Sequence, residues 1–278
     1  MQNGPRYLTD VDLQVLTLLN PSNVPANQPA ALHTQYGSIG QTEDGRIFRY
    51  TKFAGTSTIN PGSLLVAPAA PANSTGLAIV AAASQPANTA TGSGTSGTSA
   101  LAAGSQVFAV TNGATAVTQD EFQFVEILVG SSAANGTYKL RLRGNSKAAA
   151  NGTVTLYLAD PLPPTITTLI PGTDTVNLRY SPWNQPTAST TQGEPVGVTI
   201  VSVPQTSTAS YAGWIQTRGE AFVNATSGTL GYPVAQDVAT NAGYVANIGA
   251  GAAETVPQFG YFYTAEASNA ASVFLKID

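Results

Sequence analysis

Beyond residue 20 the apolar positions of this chain recur at every second residue and almost nowhere at every third or fourth. Alternation with a period of two marks strands that hold one face in a core and the other in water. The clearest cases follow two Asn-Gly-Thr steps. After Asn135-Gly136-Thr137, the side chains of Tyr138, Leu140 and Leu142 face one way, and Lys139, Arg141 and Arg143 the other. After Asn151-Gly152-Thr153, Val154, Leu156 and Leu158 alternate with Thr155 and Tyr157. Asn-Gly tolerates the positive φ angles of a tight turn, so each step reads as a turn that opens a strand. An Asp44-Gly45 turn joins Ser38-Ile39 to the run Ile47 to Tyr50, in which Phe48 and Tyr50 share a face. Further strands are predicted at 64–66, 107–110, 122–129, 175–180, 196–203, 211–217, 220–223 and 272–277, with glycines punctuating the last four. The pattern predicts an all-β fold, an extended N-terminal arm followed by two antiparallel sandwich- or barrel-like domains.

The expected boundaries are 1–35 for the arm, 36–190 for the first β domain and 191–278 for a small C-terminal barrel. In the arm, Thr9 and Asp12 have the spacing of a capping box, which would start a short helix. Val11, Val15, Leu18 and Leu19 then share one helical face. Val11, Leu13 and Val15 also alternate as a strand does, so a short helix and a short strand both stand. Asn20-Pro21 ends either one. The apolar face needs cover, from its own chain or from a neighbour.

Composition changes this picture in one respect. Only 9% of the residues are charged, and none lies between Phe53 and Gln119. That stretch carries an Ala/Gly/Ser/Thr-rich insertion, centred on Ser84–Ser99, which reads either as a flexible loop or as one held by neighbours. So few charges protect a surface poorly against association. Either assembly covers much of the surface, or Thr, Ser and Asn coat it. Eleven basic residues against fifteen acidic ones leave a net charge of −4 and no nucleic-acid footprint. Residues 1–6 lack a signal pattern and no apolar run approaches the roughly 18 residues of a membrane span, so the expectation is a soluble protein made in the cytoplasm.

Candidate chemistry is sparse. Cysteine is absent and the single histidine, His33, stands in a Pro-rich stretch without an acid neighbour. The close carboxylate pairs are Asp10/Asp12, Glu43/Asp44 and Asp120/Glu121, each at a turn or an element start, where solvated turn chemistry explains them. Neither a nucleophile elbow, a calcium loop nor a phosphate loop occurs. The reading is a non-enzyme without a cofactor or metal. Lys139, Arg141 and Arg143 form either a face for an acidic protein surface or a solvated strand face. Trp214, Tyr232, Tyr244, Phe259, Tyr261, Phe262 and Tyr263 either line a sugar-binding face or pack in cores and subunit contacts.

Three stretches, in order, resemble the structural proteins of tailed-phage heads. They are the segment from Tyr36 to Ala54 around Glu43-Asp44-Gly45-Arg46, the segment Leu156-Tyr157-Leu158-Ala159-Asp160-Pro161-Leu162, and the C-terminal group of Pro195 to Val198, Tyr211 to Gly219 and Val273 to Ile277. The 67–119 region has no counterpart. The resemblance implies a capsid decoration, or cement, protein on the outer surface of the virion. Such a protein would bind the major capsid protein, commonly as a trimer, and would have no catalytic residues. The candidate contacts are then Val11, Val15, Leu18 and Leu19 with Lys139, Arg141 and Arg143. The alternative is a head fibre, tail component or glycan-binding virion protein.

Overall fold

The computed structural model describes residues 6–15, 17–19, 36–53, 58–68, 77–79, 91–92, 100–101, 104–123, 125–131, 136–163, 174–204, 210–238, 241–248, 256–265, 267 and 269–277. Within them the chain is all-β apart from one five-residue helix, Asp10–Gln14. His33 and, of the insertion's centre, residues 84–90 and 93–99 lie outside the described residues. Thr91–Gly92 within that centre pairs antiparallel with Ala100–Leu101.

Two compact units form, and they divide the chain differently from the expected boundaries. Residues 36–68 belong with 182–277, whereas the second unit is drawn from the 69–181 segment. Pairing explains the difference. Ile47–Phe53 runs antiparallel to Tyr211–Arg218, and Leu64–Val66 pairs with Pro195–Val198. The N-terminal segment is likewise no detached arm. Arg6–Tyr7 pairs parallel with Gly40–Gln41, and Thr17–Leu19 pairs antiparallel with Ser210–Ala212. Gly40 leaves the room that the Leu8 side chain occupies beside Trp214, and Leu8 and Leu13 are both buried.

The first unit is one 11-stranded, nearly closed, barrel-like sheet. Its spine is Ser210–Asn224, a single strand of 15 residues. The expected runs 211–217 and 220–223 are therefore parts of one strand. Gly219 (φ +91°) does not turn the chain but lies beside a register shift at Gln216/Arg218. There the strand passes from its main partner Ile47–Phe53 to its second, Ala270–Lys276. The buried Gln216 side chain donates from Nε2 to the carbonyls of Glu220 (2.7 Å) and Arg218 (3.2 Å), satisfying acceptors that the bulge takes off the ladder. The expected strand 196–203 stops at Thr199, and Val203 instead makes an isolated bridge to Ile59. Phe262, Val273, Leu275, Val234 and Val245 fill one core cluster, and Phe53, Leu65, Val196 and Ile215 another.

The second unit is a six-stranded antiparallel sheet. Its order runs Leu77–Ala78, Thr175–Arg179, Glu126–Ser131, Gly136–Asn145, Thr153–Leu158, Val107–Thr111. Ile79, next to the first of these, bridges Val110 in the last, so the two edges of the sheet meet. Phe108, Ile127, Leu142, Leu156 and Val176 are fully buried inside. Burial of each such side chain stabilises by roughly 1.5–3 kcal/mol. The strand predicted at 122–129 begins only at Glu126, because Phe122 belongs to a turn whose conformation a buried Asn145 fixes. Asn145 Oδ1 accepts from the Phe122 amide (2.7 Å), and its Nδ2 donates to the carbonyls of Thr118 and Ser146 (both 2.9 Å).

Replacing Asn145 with Ala leaves a buried amide without its acceptor and strips two carbonyls. The expected cost is roughly 2–3 kcal/mol, read as a lower denaturant midpoint, whereas Arg143→Ala on the solvent side stays within about 0.5 kcal/mol. Equal midpoints for the two variants would contradict the role given to Asn145.

Candidate functional site

The alternation around residue 140 is borne out side chain by side chain. Leu142 is fully buried, Tyr138 and Leu140 pack against the core, and Lys139, Arg141 and Arg143 are exposed. The sheet register enlarges this stripe. Glu126 lies across from Arg141 on one side and from Arg179 on the other. Its carboxylate accepts from Lys139 Nζ at 2.8 Å. One outer face thus carries Lys139, Arg141, Arg143 and Arg179 around Glu126, on a chain whose net charge is −4. Arg179 was not predicted for this face, since only strand pairing brings it beside Glu126, 53 positions earlier. Arg143 reaches toward Tyr157, where its charge works against the rise that burial and nearby Asp120 impose on the Tyr157 phenol.

The apolar set of the N-terminal segment separates. Thr9 and Asp12 do form the capping box: the Asp12 amide donates to Thr9 Oγ1, and Asp12 Oδ2 accepts from the Thr9 amide at 2.9 Å. The helix ends at Gln14, however, and Val15 is extended. Leu13 is the residue turned inward, whereas Val11 and Val15 are exposed. Leu18 and Leu19 sit in the strand paired with Ser210–Ala212, so the four residues share no helical face. Five residues are too few for a face with that reach.

The C-terminal aromatics also separate. Trp214, Phe259 and Phe262 are core, while Tyr232, Tyr261 and Tyr263 are exposed. Phe222 joins the exposed group at 77% exposure, near the C-terminal end of the unit's longest strand. Tyr261 stacks on Phe274 with ring centroids 5.4 Å apart, and Lys276 lies over the Tyr261 ring.

The carboxylate pairs occupy turns or, for Asp10 and Asp12, the first turn of the short helix. Glu121 Oε2 accepts from the Thr118 amide (2.8 Å) and hydroxyl. Asp10 faces Arg46 at 3.8 Å. Asp44 accepts from the Thr42 hydroxyl and from Arg46 Nε (2.7 Å) across the Glu43–Gly45 turn. No group of three or more His, Cys, Asp or Glu with the geometry of a metal site occurs among the described residues. Among the described residues no helix is long and apolar enough to cross a membrane. In comparisons with known proteins, no family model, curated protein or solved structure matches this chain. Three of the segments singled out in the sequence, 47–53, 211–218 and 273–276, are neighbouring strands of the first unit.

The Thr42 hydroxyl lowers the Asp44 carboxyl below the ordinary aspartate value; burial opposes it, and the Arg46 amide, side chain and charge add to the lowering. A lowered value means that the turn is stabilised by ionised Asp44 above the ordinary aspartate pKa. That contribution is lost as pH falls through the folded value. A carbon-detected NMR titration of Asp44 should give a midpoint below that of ordinary aspartate, and Thr42→Val should raise it. A Thr42→Val midpoint unchanged from the parent would contradict this assignment.

Proposed function

We propose that this protein decorates the outside of a tailed-phage head, bridging major capsid subunits as a trimer and acting without catalysis. The observation that carries the reading is the basic outer face of the six-stranded unit. Four exposed cations on a nearly uncharged, net-acidic chain are costly to gather unless an acidic surface meets them. The ordered motifs of the sequence supply the virion context. Exposed Val11 and Val15 give the first unit apolar contact points of the kind that a covering neighbour would bury. Avidity over several such contacts per trimer would supply affinity that none has alone. Because the strands of the N-terminal segment pair within the first unit, contact is made by a folded surface rather than by a free arm.

Heads of the encoding phage stripped of the protein provide the test. Added wild-type protein should co-sediment with them, bind less as salt rises, and run as a trimer by light scattering. Arg141→Glu combined with Arg179→Glu should weaken binding at least about tenfold while leaving the fold intact, because both side chains are exposed. Undiminished binding by the double variant would remove the basic face from the mechanism. No binding by the wild type would remove the decoration reading.

A further inference from the structure

Two exposed aromatic side chains of the first unit, Phe222 and Tyr263, border a concavity lined by none of the residues proposed for capsid docking. It is an open cleft of about 780 Å³, within the usual size range of small-ligand sites. Phe222, Tyr263 and Phe274 line it on one side. Sheet register sets these rings in two adjacent rows. Phe222, Ser272 and Tyr263 make one row, and Glu220, Phe274 and Tyr261 the next. Rows two residues apart on a strand are separated by roughly 7 Å, so Phe222 and Tyr263 flank Ser272 in one row, with Phe274 in the adjacent row.

The polar walls of the cleft are held in place. On one side is the Asp44–Arg46 turn, closed by the 2.7 Å ion pair. On the other, Pro61-Gly62 is fastened by Asn224, whose Nδ2 donates to the Pro61 carbonyl (3.1 Å) and whose amide donates to the Gly62 carbonyl (2.8 Å). The Gly62 amide donates to the Thr199 carbonyl at 2.7 Å, and the Thr199 hydroxyl donates to the Asn60 carbonyl at 2.7 Å. Glu220 is oriented by the Ser272 hydroxyl, which donates to Oε1 at 2.8 Å. Buried Gln216 closes the floor against the bulge carbonyls. A site whose walls are fixed before binding spends little entropy on ordering them.

The charges decide the class of ligand. Asp44 and Glu220 balance Arg46 and Arg218, so the lining has donors and acceptors of both signs and no net charge. An anion such as phosphate gains nothing from a neutral lining, and a bilayer would have to bury all four charges. A flat protein surface would span the concavity and leave it unfilled. What matches exposed ring faces beside balanced hydroxyl-binding groups is a neutral sugar chain, whose C–H faces stack on aromatics while its hydroxyls both donate and accept.

We infer that the cleft bounded by Phe222, Tyr263, Arg46 and Glu220 binds a neutral oligosaccharide. Phe222 and Tyr263 supply the stacking platform, and the two carboxylate–arginine sets read the hydroxyls. The inference is independent of the capsid reading, since sugar binding requires no capsid.

Calorimetric titration of the full chain with maltoheptaose, cellohexaose and the β-1,4-linked N-acetylglucosamine hexamer tests it. At least one should bind with a Kd tighter than about 1 mM. Phe222→Ala and Tyr263→Ala should each weaken that binding about tenfold or more, with unchanged circular dichroism. Glu220→Gln should weaken it less, because an amide still bonds hydroxyls. The inference is overturned if none of the three sugars binds at about 5 mM, or if the aromatic variants bind like the parent. It is equally overturned if Phe222→Ala changes the oligomeric state in light scattering while no sugar binds, since a second copy would then be what covers the platform.

Discussion

Everything in the first unit hangs on the backbone ladder of one strand. Ser210–Asn224 hydrogen-bonds to Thr17–Leu19, Ile47–Phe53, Thr199 and Val198, and Ala270–Lys276, so four segments distant in sequence are positioned by a single element. A strand of 15 residues exceeds the usual length, and twist alone would carry its ends out of register with a common core. The bulge at Gln216/Arg218, with Gly219 at positive φ and Gln216 Nε2 capping two carbonyls, relieves that constraint. It lets one half of the strand serve the Phe53, Leu65 and Ile215 cluster and the other the Phe262, Val273 and Leu275 cluster. The same bend turns Glu220 and Phe222 outward beside the Asp44–Arg46 turn and so creates the cleft wall.

The few charges of this chain are spent in two ways. In the six-stranded unit, alternation along Gly136–Asn145 places cations on the outer face, and the neighbouring strands add Arg179 and one carboxylate. In the first unit, charges of opposite sign are paired in or near turns, as Asp44 and Arg46 are. Exposed ion pairs of this kind add little to stability. Their use is to hold geometry and to present a definite potential to whatever approaches, which is how a chain with few charges keeps selective surfaces.

The strand faces and the capping box were legible in the sequence, because both depend on neighbours in the chain. Residues 138–143 and 154–158 point as their alternation requires, and Thr9 and Asp12 bond reciprocally. What depends on distant pairing was not legible. The glycine at 219 reads as a break, yet it serves a bulge inside a continuous strand. The N-terminal segment reads as an arm because its strands are two and three residues long, and only the edges they pair with give them a place. Phe222 reads as one more alternating apolar residue. Its exposure follows from the half-turn that the bulge adds, which shifts the parity of the strand after Gln216. Arg179 joins the basic face, and Asp44 meets the cleft, through register alone.

The place proposed for this protein is the outer surface of a phage head. Cryo-electron microscopy of particles produced with and without the gene measures this directly. The account predicts density matching the barrel-like and six-stranded units over the capsid lattice, present in the first particles and missing from the second. Density confined to the tail, or heads identical in both preparations, would contradict it.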